Sequence, residues 1–213
     1  MSRVAHDLSR VRVRKSNKLK MVFHGISPCV AVDSGVVDNQ MPDFGFRAMA
    51  FMFRLRDFFR PREDIVKEAG LKEGFHVLDY GCGPGGYVKP VADLVGESGR
   101  IYALDISPLA IQMVKKIVAR NQMRNVETII SDCSTGLPDD GVDAVLLYDV
   151  FHDLTDPNGV LGELYRVLKP DGVLSFSDHH MKEDEIMSKL TNAGLFALLK
   201  KGKRTYSFAK KQT

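Results

Sequence analysis

The sequence predicts an α/β protein built on a doubly wound, mostly parallel sheet. Three observations predict it. Apolar runs that read as strands alternate with helical segments from Phe75 to Ser177, three of those runs close on an acid, and the first breaks into a glycine-rich turn. Near-continuous apolar runs such as Val142 to Asp149 suit parallel strands buried on both faces.

The elements follow in order. Residues 1–20 hold seven Lys or Arg against one Asp, and residues 1–40 show no sustained helical or strand period, so a basic, disordered extension is expected there. Phe44 to Phe59 reads as a broad apolar helix stopped by Pro61, and Glu63 to Ala69 as a short helix ending at Gly70 in a C-cap position. Residues 41–70 thus form an expected helical cap, which covers a sheet edge or, over Phe44 to Phe53, helps roof a pocket. The domain proper is placed at 71–213. Strand Phe75 to Tyr80 leads to helix Tyr87 to Val95, strand Ile101 to Asp105 to helix Leu109 to Asn121, and strand Val126 to Ser131 to a loop. Strand Val142 to Asp149, helix Gly159 to Leu168, strand Val173 to Ser177 and helix Glu183 to Ala193 come next. Phe196 to Leu199 and Thr205 to Ala209 make a final pair.

Composition excludes several classes. A chain of 213 residues with 44% hydrophobic content can bury a sizeable core, while no apolar run reaches the roughly 18 residues that a membrane span needs. Cys29, Cys82 and Cys133 give neither a disulfide framework nor a zinc spacing, and a reducing, cytoplasmic setting is expected. The net charge of +3 is concentrated in the first 20 residues and leaves an acidic body. That balance argues against a broad nucleic-acid face, although the basic arm leaves a route to RNA.

Val77 to Gly86 carries the chemistry. A strand that turns sharply into a helix needs residues without Cβ at the bend, and those glycines let backbone N–H groups approach a ligand. Gly81, Gly83 and Gly86 satisfy the dinucleotide pattern G-x-G-x-x-G, while Asp79, Gly81, Gly83 and Gly85 satisfy the acid-x-G-x-G-x-G pattern of S-adenosylmethionine (SAM) enzymes. Asp105, at the end of the second strand, suits ribose hydroxyls in either class. Asp132, at the end of the third, is placed for an adenine amino group and favours SAM. Too little chain follows Leu174 to Phe176 for the separate substrate domain that a dehydrogenase uses.

From about Gly74 to Lys211 the chain resembles the class I SAM-dependent methyltransferases of the small-molecule type, the type 11-like group that includes arsenite and quinone methyltransferases. The resemblance rests on the loop above, on Ala103 to Ser107, on Ser131 to Cys133, and on Leu164 to Gly172, which is similar to the family's LKPGG segment with Asp171 in place of a glycine. It implies a Rossmann-like, seven-stranded sheet with an antiparallel edge strand, preceded by N-terminal helices. It also implies SAM as cofactor and a small-molecule acceptor. Gly81, Cys82, Gly83 and Gly85 would then carry the methionine portion and Asp79 would orient its ammonium or a nearby water. Asp105 would take the ribose, Ile106 would pack on adenine, and Asp132 with the Cys133 backbone would hold the adenine edge.

The acceptor side rests on Tyr148 to Asp153, after the fourth strand. His152 is the best proton acceptor by intrinsic pKa and is the expected general base, with Asp149 as a second catalytic or ligand-orienting group. Ser177, Asp178, His179 and His180 form another polar cluster. With Asp149, His152 and Asp153 they lack a stereotyped metal-ligand spacing, so no metal is expected. A protein or RNA acceptor, or a SAM-fold module that binds without transferring a methyl, are the competing functional readings.

Overall fold

The computed structural model describes residues 62–211. The expectations for the basic extension, for the helix over Phe44 to Phe59 and for a roof built from it lie outside the described residues. Elements are numbered from the first described one: α1 (Glu63–Glu68), β1 (His76–Tyr80), α2 (Val88–Val95), β2 (Arg100–Asp105), α3 (Pro108–Arg120), β3 (Val126–Ile130), β4 (Val142–Tyr148), α4 (Pro157–Val167), β5 (Leu168–Ser177), α5 (Glu183–Asn192), β6 (Phe196–Lys201) and β7 (Tyr206–Lys210). A 3₁₀ turn, Phe151–Asp153, follows β4.

Seven strands form one sheet in the order β3-β2-β1-β4-β5-β7-β6. The first five are parallel to their neighbours, and β7 runs antiparallel between β5 and β6, so the terminal hairpin makes one border of the sheet. The expected sheet is therefore present. Strand order reverses between β1 and β4, which opens a crevice outside their carboxyl ends, the place where ligands bind in open α/β sheets.

Alternation along the central strands explains the two-sided core. Leu78, Val145, Leu147, Leu174 and Phe176 pack with Leu161 and Leu164 of α4 and Ile186 and Leu190 of α5. Val77, Ala144 and Leu146 face the other way, onto Val91 and Val95 of α2 and Val66 of α1. Successive side chains of a strand point to opposite faces, so a strand covered on both faces must be apolar throughout.

The structure moves several element bounds. Helices α3 and α4 start before Leu109 and Gly159 because Ser107-Pro108 and Asp156-Pro157 are N-cap and first-turn pairs, with the cap side chains accepting from Ala110 and Gly159 N–H. Strand β5 starts at Leu168 instead of Val173. Its Leu168 pairs with Val142 and its Val173 with Ala144, so Lys169 to Gly172, expected between a helix and a strand, form a bulge inside the strand.

Candidate active site

Strand β1 delivers Asp79 to the crevice and the chain then turns through the glycines. Gly81 has φ of +75°, and a Cβ there would lie 2.7 Å from Val150 Cγ2, so glycine is demanded twice over. Gly83, at φ +52°, has no atom within 4 Å of a built Cβ and leaves that side of the turn open. The turn is anchored to β2. Gly81 and Cys82 N–H both donate to Leu104 O, at 2.8 and 2.9 Å, and Gly83 N–H donates to Asp105 Oδ2 at 2.8 Å. Asp105 Oδ1 accepts from Ser107 N–H at 2.8 Å. Burial raises the Asp105 carboxyl, and those two hydrogen bonds oppose it. A carboxylate has about four lone-pair sites, so each Asp105 oxygen keeps capacity for a further donor.

Asp79 is buried and its Oδ2 has no hydrogen-bond partner. Burial pushes its carboxyl up to about 7, with the Arg62 guanidinium pulling down and Asp105 pushing further up. An orphaned buried oxygen beside an open glycine turn fits a cofactor bearing a cationic donor. The Cys82 thiol is raised well above its ordinary value by burial, then by Asp79 and Asp105. It stays protonated and is a packing group, which sets it apart from a thiolate that could grip a metalloid.

Past β3 the chain is pinned on both sides. Tyr80 Oη donates to the Asp132 carbonyl at 2.9 Å, and Cys133 N–H donates to Ser131 Oγ at 3.2 Å. The Asp132 side chain is exposed, as is Ile106 at the end of β2. Glu163 of α4 accepts from Thr135 N–H at 2.8 Å, from Thr135 Oγ1 at 2.6 Å and from Arg166. Burial raises the Glu163 carboxyl, but the hydrogen bonds from Arg166 and Thr135 outweigh it and hold it below its ordinary value of 4.5. A carboxyl depressed on folding contributes stability above its unfolded value and loses it as the pH falls through the folded one. Glu163→Gln is therefore expected to cost about 1–3 kcal/mol at pH 7, and the gap to the wild type should narrow at acid pH, as urea titrations at both pH values will show.

A second polar group occupies the carboxyl ends of β4 and β5. Asp149 takes a left-handed backbone, φ +53°, tolerated by Asp, and its N–H donates to Ser177 O at 2.7 Å. Its Oδ1 accepts from His179 N–H and lies 2.8 Å from His179 Nδ1. His152 pairs with Asp178: Nδ1 lies 2.8 Å from Oδ2, and the His152 N–H donates to the same oxygen at 3.1 Å. Burial raises the Asp178 carboxyl, and hydrogen bonds from the His152 ring and from the His180 and His152 N–H groups outweigh it, so Asp178 stays ionised. An ionised acceptor on Nδ1 favours a ring proton there, and Nε2 lies 3.3 Å from Asp153 Oδ2. The His180 ring stacks against both His152 and His179, at 4.2 and 3.9 Å between centroids.

The structure thus brings Asp79, Gly81, Cys82, Gly83, Gly85 and Asp105 to the carboxyl ends of the adjacent strands β1 and β2, with Ile106 just after β2 and Asp132 and Cys133 just after β3. It pairs His152 with Asp178, and Asp149 with His179. Asp149, Asp178 and His179 also hold ligand atoms within 4.8 Å of one another, a grouping that could hold a metal ion. Residue-by-residue reading missed Glu163 and Arg62. The latter lies over the Tyr87 ring, 4.5 Å from its centroid, and a Cβ at Gly86 would overlap its guanidinium.

A glycine turn anchored by a strand-end acid, at the switch point of a doubly wound sheet, defines a nucleoside-cofactor cleft. Within that class the chain belongs to the methyltransferase domain family, whose model matches residues 71–212. It is 32% identical over 125 residues to a demethylmenaquinone methyltransferase of Geobacillus sp. (strain WCH70), a match covering 58% of this chain and 53% of the relative. It is 27% identical over 140 residues to a ubiquinone/menaquinone biosynthesis C-methyltransferase of Pseudoalteromonas translucida (strain TAC 125), covering 65% and 56%. The chain spans about half the length of these curated relatives. Among solved structures, a SAM-dependent methyltransferase from Aquifex aeolicus is 31% identical, with a TM-score of 0.62 over 70% of this chain and 88% of that one. No helix among the described residues is long and apolar enough to cross a membrane.

Proposed function

We propose that the protein is a SAM-dependent methyltransferase acting on a small-molecule acceptor. The observation that carries this is Asp79, buried with an unsatisfied oxygen beside a glycine turn that Asp105 holds in place. The relatives act, by their names, in demethylmenaquinone and ubiquinone or menaquinone chemistry, which favours a quinone-type ring carbon as the methyl acceptor. The acidic body favours an enzyme that does not act on nucleic acid, and the cysteine pattern favours a cytoplasmic one. In this reading residues 1–40 are a dispensable basic extension, 41–70 a helical cap and 71–213 the SAM-binding domain.

Bound in the cleft, SAM supplies a methyl already activated on a sulfonium, so the chain's task is alignment, exclusion of water and removal of the acceptor proton. Asp105 would accept from the ribose hydroxyls and Asp79 from the ammonium, Ile106 would pack on the adenine, and Asp132 with the Cys133 backbone would hold the adenine edge. Asp178 fixes the His152 ring with its proton on Nδ1, and Nε2 takes the proton from the acceptor hydroxyl as the ring carbon becomes nucleophilic. Asp149 and His179 brace the other side of that opening.

Calorimetry tests the cofactor. SAM and S-adenosylhomocysteine are expected to bind and NAD to bind far more weakly or not at all. NAD binding with both sulfur ligands ignored would overturn the reading.

A further inference from the structure

We infer that the hairpin of β6 and β7 is a docking surface for an anionic lipid surface, its exposed leucines entering the interface while its cations meet the headgroups. The inference uses no residue of the site and stands apart from the cofactor reading. Residues 194–213 hold six Lys or Arg and no Asp or Glu. Residues 1–20 carry the same excess of six, so a net charge of +3 for the whole chain leaves −9 on residues 21–193. The terminal hairpin is therefore a basic border on an acidic body, where a surface that is merely solvated would intersperse both signs.

Apolar and basic groups share that border. Among the described residues β6 pairs with β7 alone and is the outermost strand of the sheet. Its Leu198 and Leu199 are 42% and 63% exposed. The register slips between Leu198, opposite Phe208, and Lys200, opposite Ser207, so Leu199 is the extra residue of a bulge. Lys201 is paired with Glu183 and Lys210 with Asp140. Lys200, Lys203 and Arg204 are exposed, and their side chains make no ion pair among the described residues.

This combination selects the occupant. A second copy paired along β6 would set the same cations against each other, and lysines on an edge strand oppose such pairing. Nucleic acid would use the cations but leave two leucines against phosphate and sugar. An anionic lipid surface takes both, because interfacial binding sums buried apolar area and attraction of Lys and Arg to the headgroups. The hairpin also sits at a telling end of the sheet. Phe176, near the carboxyl end of β5, pairs with Tyr206, and Tyr206 with Lys201, so the turn over residues 202–205 lies at the same end as the crevice. Docking by that turn points the crevice end of the sheet toward the lipid.

The test is co-sedimentation of the full chain with vesicles of phosphatidylcholine mixed with phosphatidylglycerol, against vesicles of phosphatidylcholine alone. Binding is expected on the mixed vesicles only and should weaken as salt rises. Lys200→Gln, Lys203→Gln and Arg204→Gln combined should weaken it about 100-fold, from about fivefold per cation. The turn should keep its shape, since Glu68 holds it through the Arg204 and Thr205 backbone. Leu198→Gln with Leu199→Gln should weaken binding about tenfold and leave its salt dependence in place. A wild type that ignores the mixed vesicles overturns the inference even if no variant folds. A triple variant within about twofold of the wild type also overturns it and moves the attraction to residues 1–20. Unchanged binding by the leucine variant overturns it as well. So does a triple variant that loses binding to a single-stranded RNA but not to vesicles, or a wild-type dimer that the leucine variant splits.

Discussion

His152→Ala is expected to lower turnover by about 10²–10⁴-fold on an acceptor whose reacting hydroxyl is protonated, with SAM affinity within about twofold of the wild type. The expectation follows from the hydrogen bond to Asp178, which is buried, stays ionised and favours a ring proton on Nδ1, so that Nε2 is the nitrogen that accepts once it leaves Asp153 Oδ2, 3.3 Å away. Asp178→Asn should reproduce much of the loss. An amide can offer its N–H to Nδ1, and the ring then carries its proton on Nε2, the wrong end. An acceptor already ionised needs no base and should lose little. Turnover and SAM affinity are measured together: normal turnover of His152→Ala on a protonated acceptor eliminates the base role, and equal losses in both quantities mark a histidine that only packs.

Asp105→Ala should weaken SAM binding by about 10–100-fold, since hydrogen bonds to a charged group contribute about 1.5–3 kcal/mol and each 1.4 kcal/mol is about tenfold. Two effects combine there. The ribose loses its acceptor, and Gly83 and Ser107 lose the carboxylate that ties the turn and the start of α3 together. Asp105→Asn separates them, because its single carbonyl oxygen can still accept one of the two backbone N–H groups. A folded Asp105→Ala variant with unchanged SAM affinity would remove Asp105 from the ribose site.

The acids and glycines that the structure brings together at the ends of β1 and β2 were legible in the sequence because their signals are local. Asp79 and the glycines lie within one turn, and strand-end acids announce themselves at the break of an apolar run. The missed helix starts were legible too, in Ser107-Pro108 and Asp156-Pro157, where a cap is easily read as loop. The rest depends on pairings that the sheet alone creates. His152 and Asp178 are 26 residues apart and meet because β4 and β5 are neighbours, and Thr135 and Glu163 meet across 28. Arg62 was hidden for a different reason: a basic residue at a helix start reads as solvated, and only the ring of Tyr87 and the bare backbone at Gly86 make it an interior group.

Glu68, at the end of α1, accepts from the backbone N–H groups of Arg204 and Thr205 and from Thr205 Oγ1. One carboxylate thereby stitches the helix that begins beside Arg62 to the turn between β6 and β7, across 137 residues of chain. The terminal hairpin and the helix that precedes β1 are thus tied by one side chain, so fraying of the hairpin is expected to loosen α1, and Glu68→Gln should weaken that tie without touching the hairpin's own strand pairing.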